Sequence, residues 1–134
     1  MALDIQESTR EGVTVITLKG RLTVGESAGL REKVGELVAA GKFQVVMDLS
    51  ALDYIDSTGL GNLVIYYTTL KKNGGALKLV NLNKRNIELL LLTKLHTVFE
   101  VFTDIQDAVN SFFPDRVIKR FDILSFVQQA ESEK

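Results

Sequence analysis

The stretch Phe43-Gln44-Val45-Val46-Met47-Asp48-Leu49 constrains the fold more than any other part of this chain. It is rich in β-formers and almost continuously apolar, the pattern of a strand covered on both faces. Such a strand needs other elements layered above and below it. The flanking sequence supplies them. Upstream, Ala28, Leu30, Val34, Leu37 and Val38 recur at helical spacing, with Arg31, Glu32, Lys33 and Glu36 between them, and Gly41 closes the run as a C′ residue. Downstream, Leu60, Leu63, Val64, Tyr67 and Leu70 form a second helical stripe that ends at Lys71-Lys72-Asn73-Gly74.

The remaining periodicities extend this pattern. Leu3 to Ser8 and the alternating run Val13 to Lys19 read as a hairpin around Glu11-Gly12. Gly20 to Val24 reads as a loop, and Ser50 to Ile55 as a connecting segment. Leu77 to Val80 is a short strand. Asn83 is placed to cap a helix from Lys84, with Ile87, Leu90, Leu91 and Leu95 inward. Val98 to Phe102 reads as the last strand. Ile105, Ala108, Val109 and Phe112 form a final helix capped by Asp104. The order β-β-α-β-α-β-α-β-α predicts an α/β fold with a mixed sheet and right-handed parallel crossovers.

Residues 1–113 read as one domain, and Pro114 marks its end. The extension, 114–134, carries Val117, Ile118, Phe121, Ile123, Leu124, Phe126 and Val127, too many apolar residues for a disordered tail before about Gln129. We expect a helical appendage, partly disordered at its end. It packs on its own domain or mediates self-association through residues 114–128.

Several function classes are disfavoured. Lys and Arg number 16 against 17 Asp and Glu, with no basic run, so nothing argues for nucleic acid. There is no cysteine, hence no thiolate or disulfide chemistry. Met1-Ala2-Leu3-Asp4 lacks the basic and apolar regions of a signal peptide. No apolar run reaches the ~20 residues that span a bilayer. These features lead us to expect a soluble cytoplasmic protein with no membrane partner.

The chemistry concentrates in Asp56-Ser57-Thr58-Gly59-Leu60-Gly61, where a strand should give way to a helix. A nucleophile elbow would need glycine at the position of Ile55. The one histidine, His96, lies at a leucine-rich helix and reads as structural. The third glycine of a dinucleotide fingerprint is Val64, and no Gly-Lys-Ser or Gly-Lys-Thr exists for a P-loop. Asp53 and Asp56 are too few for a metal site. An aspartyl phosphoacceptor at Asp48 or Asp56 would need an acidic pair at the end of the first strand, and only Glu7 is near it. No cofactor is called for, and an enzyme reading lacks its residues.

Two roles remain for Ser57. It can cap the helix, worth about 1 kcal/mol, or it can accept a phosphate where free N–H groups and the helix dipole favour negative charge. Phosphorylation adds about −1.5 to −2 charges. Asp53 and Asp56 would repel that charge while the helix N-terminus tolerates it, so the fold should survive and a docked partner should not. Gly59 and Gly61 are expected to leave room for a kinase to approach. Asn62, Tyr66 and Thr69 are expected to face outward, with Tyr66 either an interface anchor or a cover for neighbouring apolar surface.

The run Val45 to Gly61, with its Asp-Ser-Thr-Gly-Leu-Gly motif, resembles the signature of the STAS family, specifically bacterial anti-sigma factor antagonists. Gly20-Arg21-Leu22, Gly74 to Asn81, Val98 to Phe102 and Ile105 to Val109 resemble the family's flanking segments, so the resemblance covers roughly residues 3–112. It implies a STAS-type mixed sheet with helices mainly on one face, and a non-catalytic binding module. It further implies that the chain binds an anti-sigma factor that is also a serine kinase of the histidine-kinase-like ATPase class, freeing a sigma factor. The kinase would phosphorylate Ser57 and a PP2C-type phosphatase would reverse this. Asp56, Thr58, Gly59, Leu60, Gly61, Asn62, Tyr66 and Thr23 would form the partner face. The family often carries an acidic residue where this chain has Thr23. Other STAS roles, a stressosome-like scaffold or a subunit of a lipid-transport complex, would leave Ser57 as a cap.

Overall fold

A computed structural model describes residues 3–123 and Phe126. Asp4–Arg10 (β1) and Val13–Leu22 (β2) form an antiparallel hairpin. Its turn residues Glu11 and Gly12 have φ of 53° and 82°. Positive φ at both positions matches the twist of a two-residue hairpin loop. Next, Gln44–Ile55 (β3), Ala76–Val80 (β4) and Val101–Phe102 (β5) run parallel to β2, and the sheet order is β1-β2-β3-β4-β5.

Every parallel connection therefore steps the same way across the sheet. Right-handed crossovers then put the connecting helices on one face. These are Ala28–Ala39 (α1), Ser57–Lys72 (α2) and Lys84–Leu92 (α3). The main core lies between them and the sheet, built on Ile16, Leu30, Met47, Leu63, Leu79 and Leu90. The last helix, Ile105–Asn110 (α4), follows the edge strand and covers the other face, where Val15, Val46, Val80 and Phe102 meet Ala108 and Val109. Burial of Val45, Val46 and Met47 to full exclusion from water follows from this double cover.

Both long helices stop by the same device. Gly41 and Gly74 take φ of +74° and +86°, and the following N–H groups, of Lys42 and Gly75, donate to Leu37 and Leu70. That is a Schellman ending, which pairs carbonyls the helix leaves over.

Three expected boundaries move. Gly20 to Leu22 is strand rather than loop, because β2 stays paired with β3 through register shifts around Lys19 and Gly20. A bulge lets a strand continue past a glycine at φ +111°. Ser50 to Ile55 is likewise strand, since it is the partner of that bulged segment. The last strand keeps only Val101–Phe102, because a 3-10 turn at Leu95–Thr97 leads into Phe99, which is buried in the main core.

In the extension, residues 114–122 form turns and irregular chain, not the expected helix; Ile123 and Phe126 are helical. Leu124, Ser125 and residues 127–134 lie outside the described residues. Phe121 N–H donates to the Val101 carbonyl of β5 at 2.9 Å. Ile118 packs on the second core and Ile123 is buried in the main one. Arg116 reaches both carboxylate oxygens of Glu11 at the hairpin turn, and Arg120 pairs with Glu100 at 2.9 Å. Self-association through these apolar side chains would have to break intramolecular contacts.

Candidate functional site

The sheet ends where the expected site begins. Ile55 is the last residue of β3, and Asp56 is the N-cap of α2, with φ −90° and ψ 178°. Asp56 Oδ1 accepts from Gly59 N–H at 2.7 Å, and Oδ2 accepts from Val24 N–H at 3.1 Å. One carboxylate thus caps the helix and fastens the β2–α1 loop beside it. The capping role considered for Ser57 belongs to Asp56. Ser57 is instead the first helical residue, and it is exposed. Its hydroxyl makes no hydrogen bond among the described residues.

Gly59 has a packing reason. A Cβ there would run into the Leu22 carbonyl, to which Asp56 N–H also donates at 3.1 Å. The first turn of α2 therefore sits directly on the end of β2, and Gly59 is buried rather than open to a kinase. Gly61 does face open space. Leu60 is buried in the core. Of the expected partner-face residues, Thr58 and Gly61 are exposed like Ser57, and Thr23, Asp56 and Asn62 are partly so. Thr23 reaches the site because its neighbour Val24 is tied to Asp56.

Tyr66 does not face outward. It is 5% exposed and belongs to the main core. The reason is that α2 packs on α1 as well as on the sheet, so its buried arc widens to include Gly59, Leu63, Tyr66 and Leu70. Burial pushes the Tyr66 phenol above its ordinary value, with Arg31 working in the opposite direction. The outward line is Ser57, Gly61 and Ile65, each one turn after the last. Ile65 is 59% exposed and was not singled out from the sequence, where its spacing did not separate it from the core stripe. Val24, in the loop held by Asp56, is 72% exposed.

On the other side of Ser57 lies a cavity of about 280 Å³, walled by Tyr54, Ile55, Asp56, Arg85 and Leu89. The first turn of α3 is held there by asparagines. Asn83 caps the helix by accepting from Asn86 N–H at 2.8 Å, and its amide reaches the Leu52 and Asp53 carbonyls at 3.3 Å. Asn86, buried, donates to the Leu52 carbonyl at 3.2 Å. These bonds fix α3 to the end of β3 and set Arg85 over the Tyr54 ring at 4.3 Å, with Arg21 at 5.0 Å from the same ring. Sequence reading missed this cluster because its members come from β2, β3 and α3. Among the described residues no group of three metal-ligating side chains is gathered anywhere.

The family model of the STAS domain matches residues 4–108. The chain belongs to the STAS family. The match spans both the sheet and the strand-to-helix junction that carries Ser57. The chain is 33% identical over 101 residues to the anti-sigma-B factor antagonist of Bacillus subtilis, covering 75% of this chain and 92% of the relative. It is 28% identical over 121 residues to the anti-sigma-F factor antagonist RsfB of Mycobacterium tuberculosis, covering 87% and 94%. A crystal structure of an anti-sigma factor antagonist from Mycobacterium paratuberculosis superposes with a TM-score of 0.74 at 26% identity, covering 81% of this chain and 92% of that one. This STAS fold is the mixed sheet, helices mainly on one face, that the family resemblance implied. None of its described helices is long and apolar enough to cross a membrane.

Proposed function

We propose that this STAS protein is an anti-sigma factor antagonist, a binding module and not an enzyme, whose partner is an anti-sigma factor that also acts as a serine kinase. The unmodified face around Ser57, Thr58, Gly61 and Ile65 docks the partner in the cytoplasm and frees a sigma factor. Phosphorylation of Ser57 ends the interaction, and a PP2C-type phosphatase restores it. The observation that carries this reading is the exposed hydroxyl of Ser57, unbonded among the described residues, at the start of a 16-residue helix whose capping is done by Asp56. A hydroxyl with no structural duty can be modified without loss of fold. The antagonist relatives support the coarse role.

The physics of the switch is local. A new charge of about −1.5 to −2 is tolerated by the first turn of α2 but is strongly hydrated, so a partner covering it must strip that water. The partner is displaced without refolding. The purified cognate kinase with ATP should add one phosphate to the chain and none to Ser57→Ala. Equal labelling of that variant would put the acceptor elsewhere. Ser57→Asp should lower partner affinity about tenfold or more, equivalent to about 1.4 kcal/mol, and leave the melting curve in place.

A scaffold reading would also have to leave Ser57 without the capping duty, since Asp56 makes that bond.

A further inference from the structure

Arg85 occupies an unusual position for an exposed arginine. It has no carboxylate partner among the described residues, and its guanidinium lies over the face of Tyr54 at 4.3 Å. A guanidinium lying on a ring keeps its N–H edge available to acceptors. It lines the same cavity as Ser57. That cavity, at about 280 Å³, is several times the roughly 30 Å³ a water molecule takes. Arg85 is also held in place, since α3 is pinned to β3 through Asn83 and Asn86 on either side of it in sequence.

We propose that Arg85 is the intramolecular receptor for a phosphate on Ser57, pairing with it across the cavity between α2 and α3. This rests on the reading of Ser57 as a phosphoacceptor and adds to it a fate for the phosphate. Arginine and phosphate match as a two-pronged, charge-assisted pair, stronger than a single hydrogen bond. The other charged groups on the cavity wall, Asp56 and Glu88, oppose the phosphate. Asp56 is already committed to Gly59 and Val24, and among the described residues Arg85 is the cation on the cavity wall. Pairing brings the guanidinium and the phosphate together at the cavity and covers the partly exposed Leu89 on its wall. Phosphorylation then changes the partner face twice, by adding charge and by closing an apolar recess.

The test uses the full chain with phosphoserine installed at position 57 during translation, so no kinase is needed. Phosphorus NMR follows the second ionisation of the phosphate, ordinarily near pH 6. Arg85→Gln should raise that midpoint by roughly half a unit relative to the unsubstituted phosphoprotein, and Arg85→Lys should recover part of the difference. In the unsubstituted phosphoprotein, the Arg85 Nε–H resonance should move with the same midpoint, a readout that does not depend on how well a variant folds. A phosphate that titrates alike with and without Arg85, or an Arg85 resonance that stays still, overturns the pairing. Either result leaves the kinase reading intact. Conversely, if no kinase modifies Ser57, the pairing remains measurable on the installed phosphate.

Discussion

At the scale of single residues, the junction divides labour between neighbours that look equivalent in sequence. Asp56 has both carboxylate oxygens engaged, whereas the hydroxyl of Ser57 has no hydrogen bond among the described residues. Asp56→Ala should therefore cost about 1–2 kcal/mol in urea unfolding, and Ser57→Ala a few tenths at most. Comparable losses for the two would mean that Ser57 shares the cap. Gly59 and Gly61 form a similar pair. Gly59→Ala drives a methyl into the Leu22 carbonyl and should destabilise by roughly 1–3 kcal/mol. Gly61→Ala meets nothing and should stabilise α2 by up to about 1 kcal/mol. Thermal melts of the two variants should shift in opposite directions. The motif itself was legible as a line of residues, but which glycine is structural depends on a carbonyl from residue 22, which no local pattern reports.

At the scale of elements, α2 and the extension are the informative cases. The stripe of α2 was readable where it faces the sheet, through Leu60, Leu63 and Leu70. It was misread at Tyr66, because a second neighbour, α1, buries a face that a one-sided helix would expose. The extension is tied to β5 by Phe121 and by Glu100, which sits between Lys78 at 3.3 Å and Arg120 at 2.9 Å. Burial pulls the Glu100 carboxyl up, but hydrogen bonds and charge from Arg120 and Lys78 outweigh it and hold the group below the ordinary 4.5. A depressed folded value means that the stabilisation is present in full above 4.5 and drains away as pH falls below it through the folded value. Hydrogen-exchange protection of the Phe121 amide should weaken over that acidic range, and less steeply in Arg120→Gln. An identical acid response in the two proteins would remove Glu100 from the explanation.

At the scale of the whole molecule, the sheet has one covered edge and one twisted hairpin edge. The extension does the covering, lying along β5 and reaching back to the β1–β2 turn through Arg116 and Glu11. Ending the chain at Phe113 should lower stability by roughly 1–3 kcal/mol, from the lost burial of Ile123 and Phe121. It should also promote self-association through the exposed strand edge. Calorimetry and light scattering on the shortened chain would show both effects, and an unchanged melting temperature would make the extension an independent tail. The element order, the doubly covered strand, the Glu11-Gly12 turn and the caps at Asn83 and Asp104 were all determined by the chain's local chemistry. Each depends on residues within a few positions of one another, where periodicity and capping operate. The exposure of Ile65, the burial of Tyr66, the packing role of Gly59 and the meeting of Arg85, Tyr54 and Ser57 were decided by tertiary structure alone. Those features arise where a helix gains a second neighbour or where β2, β3 and α3 end at one place, and burial and contact there depend on residues distant in the chain.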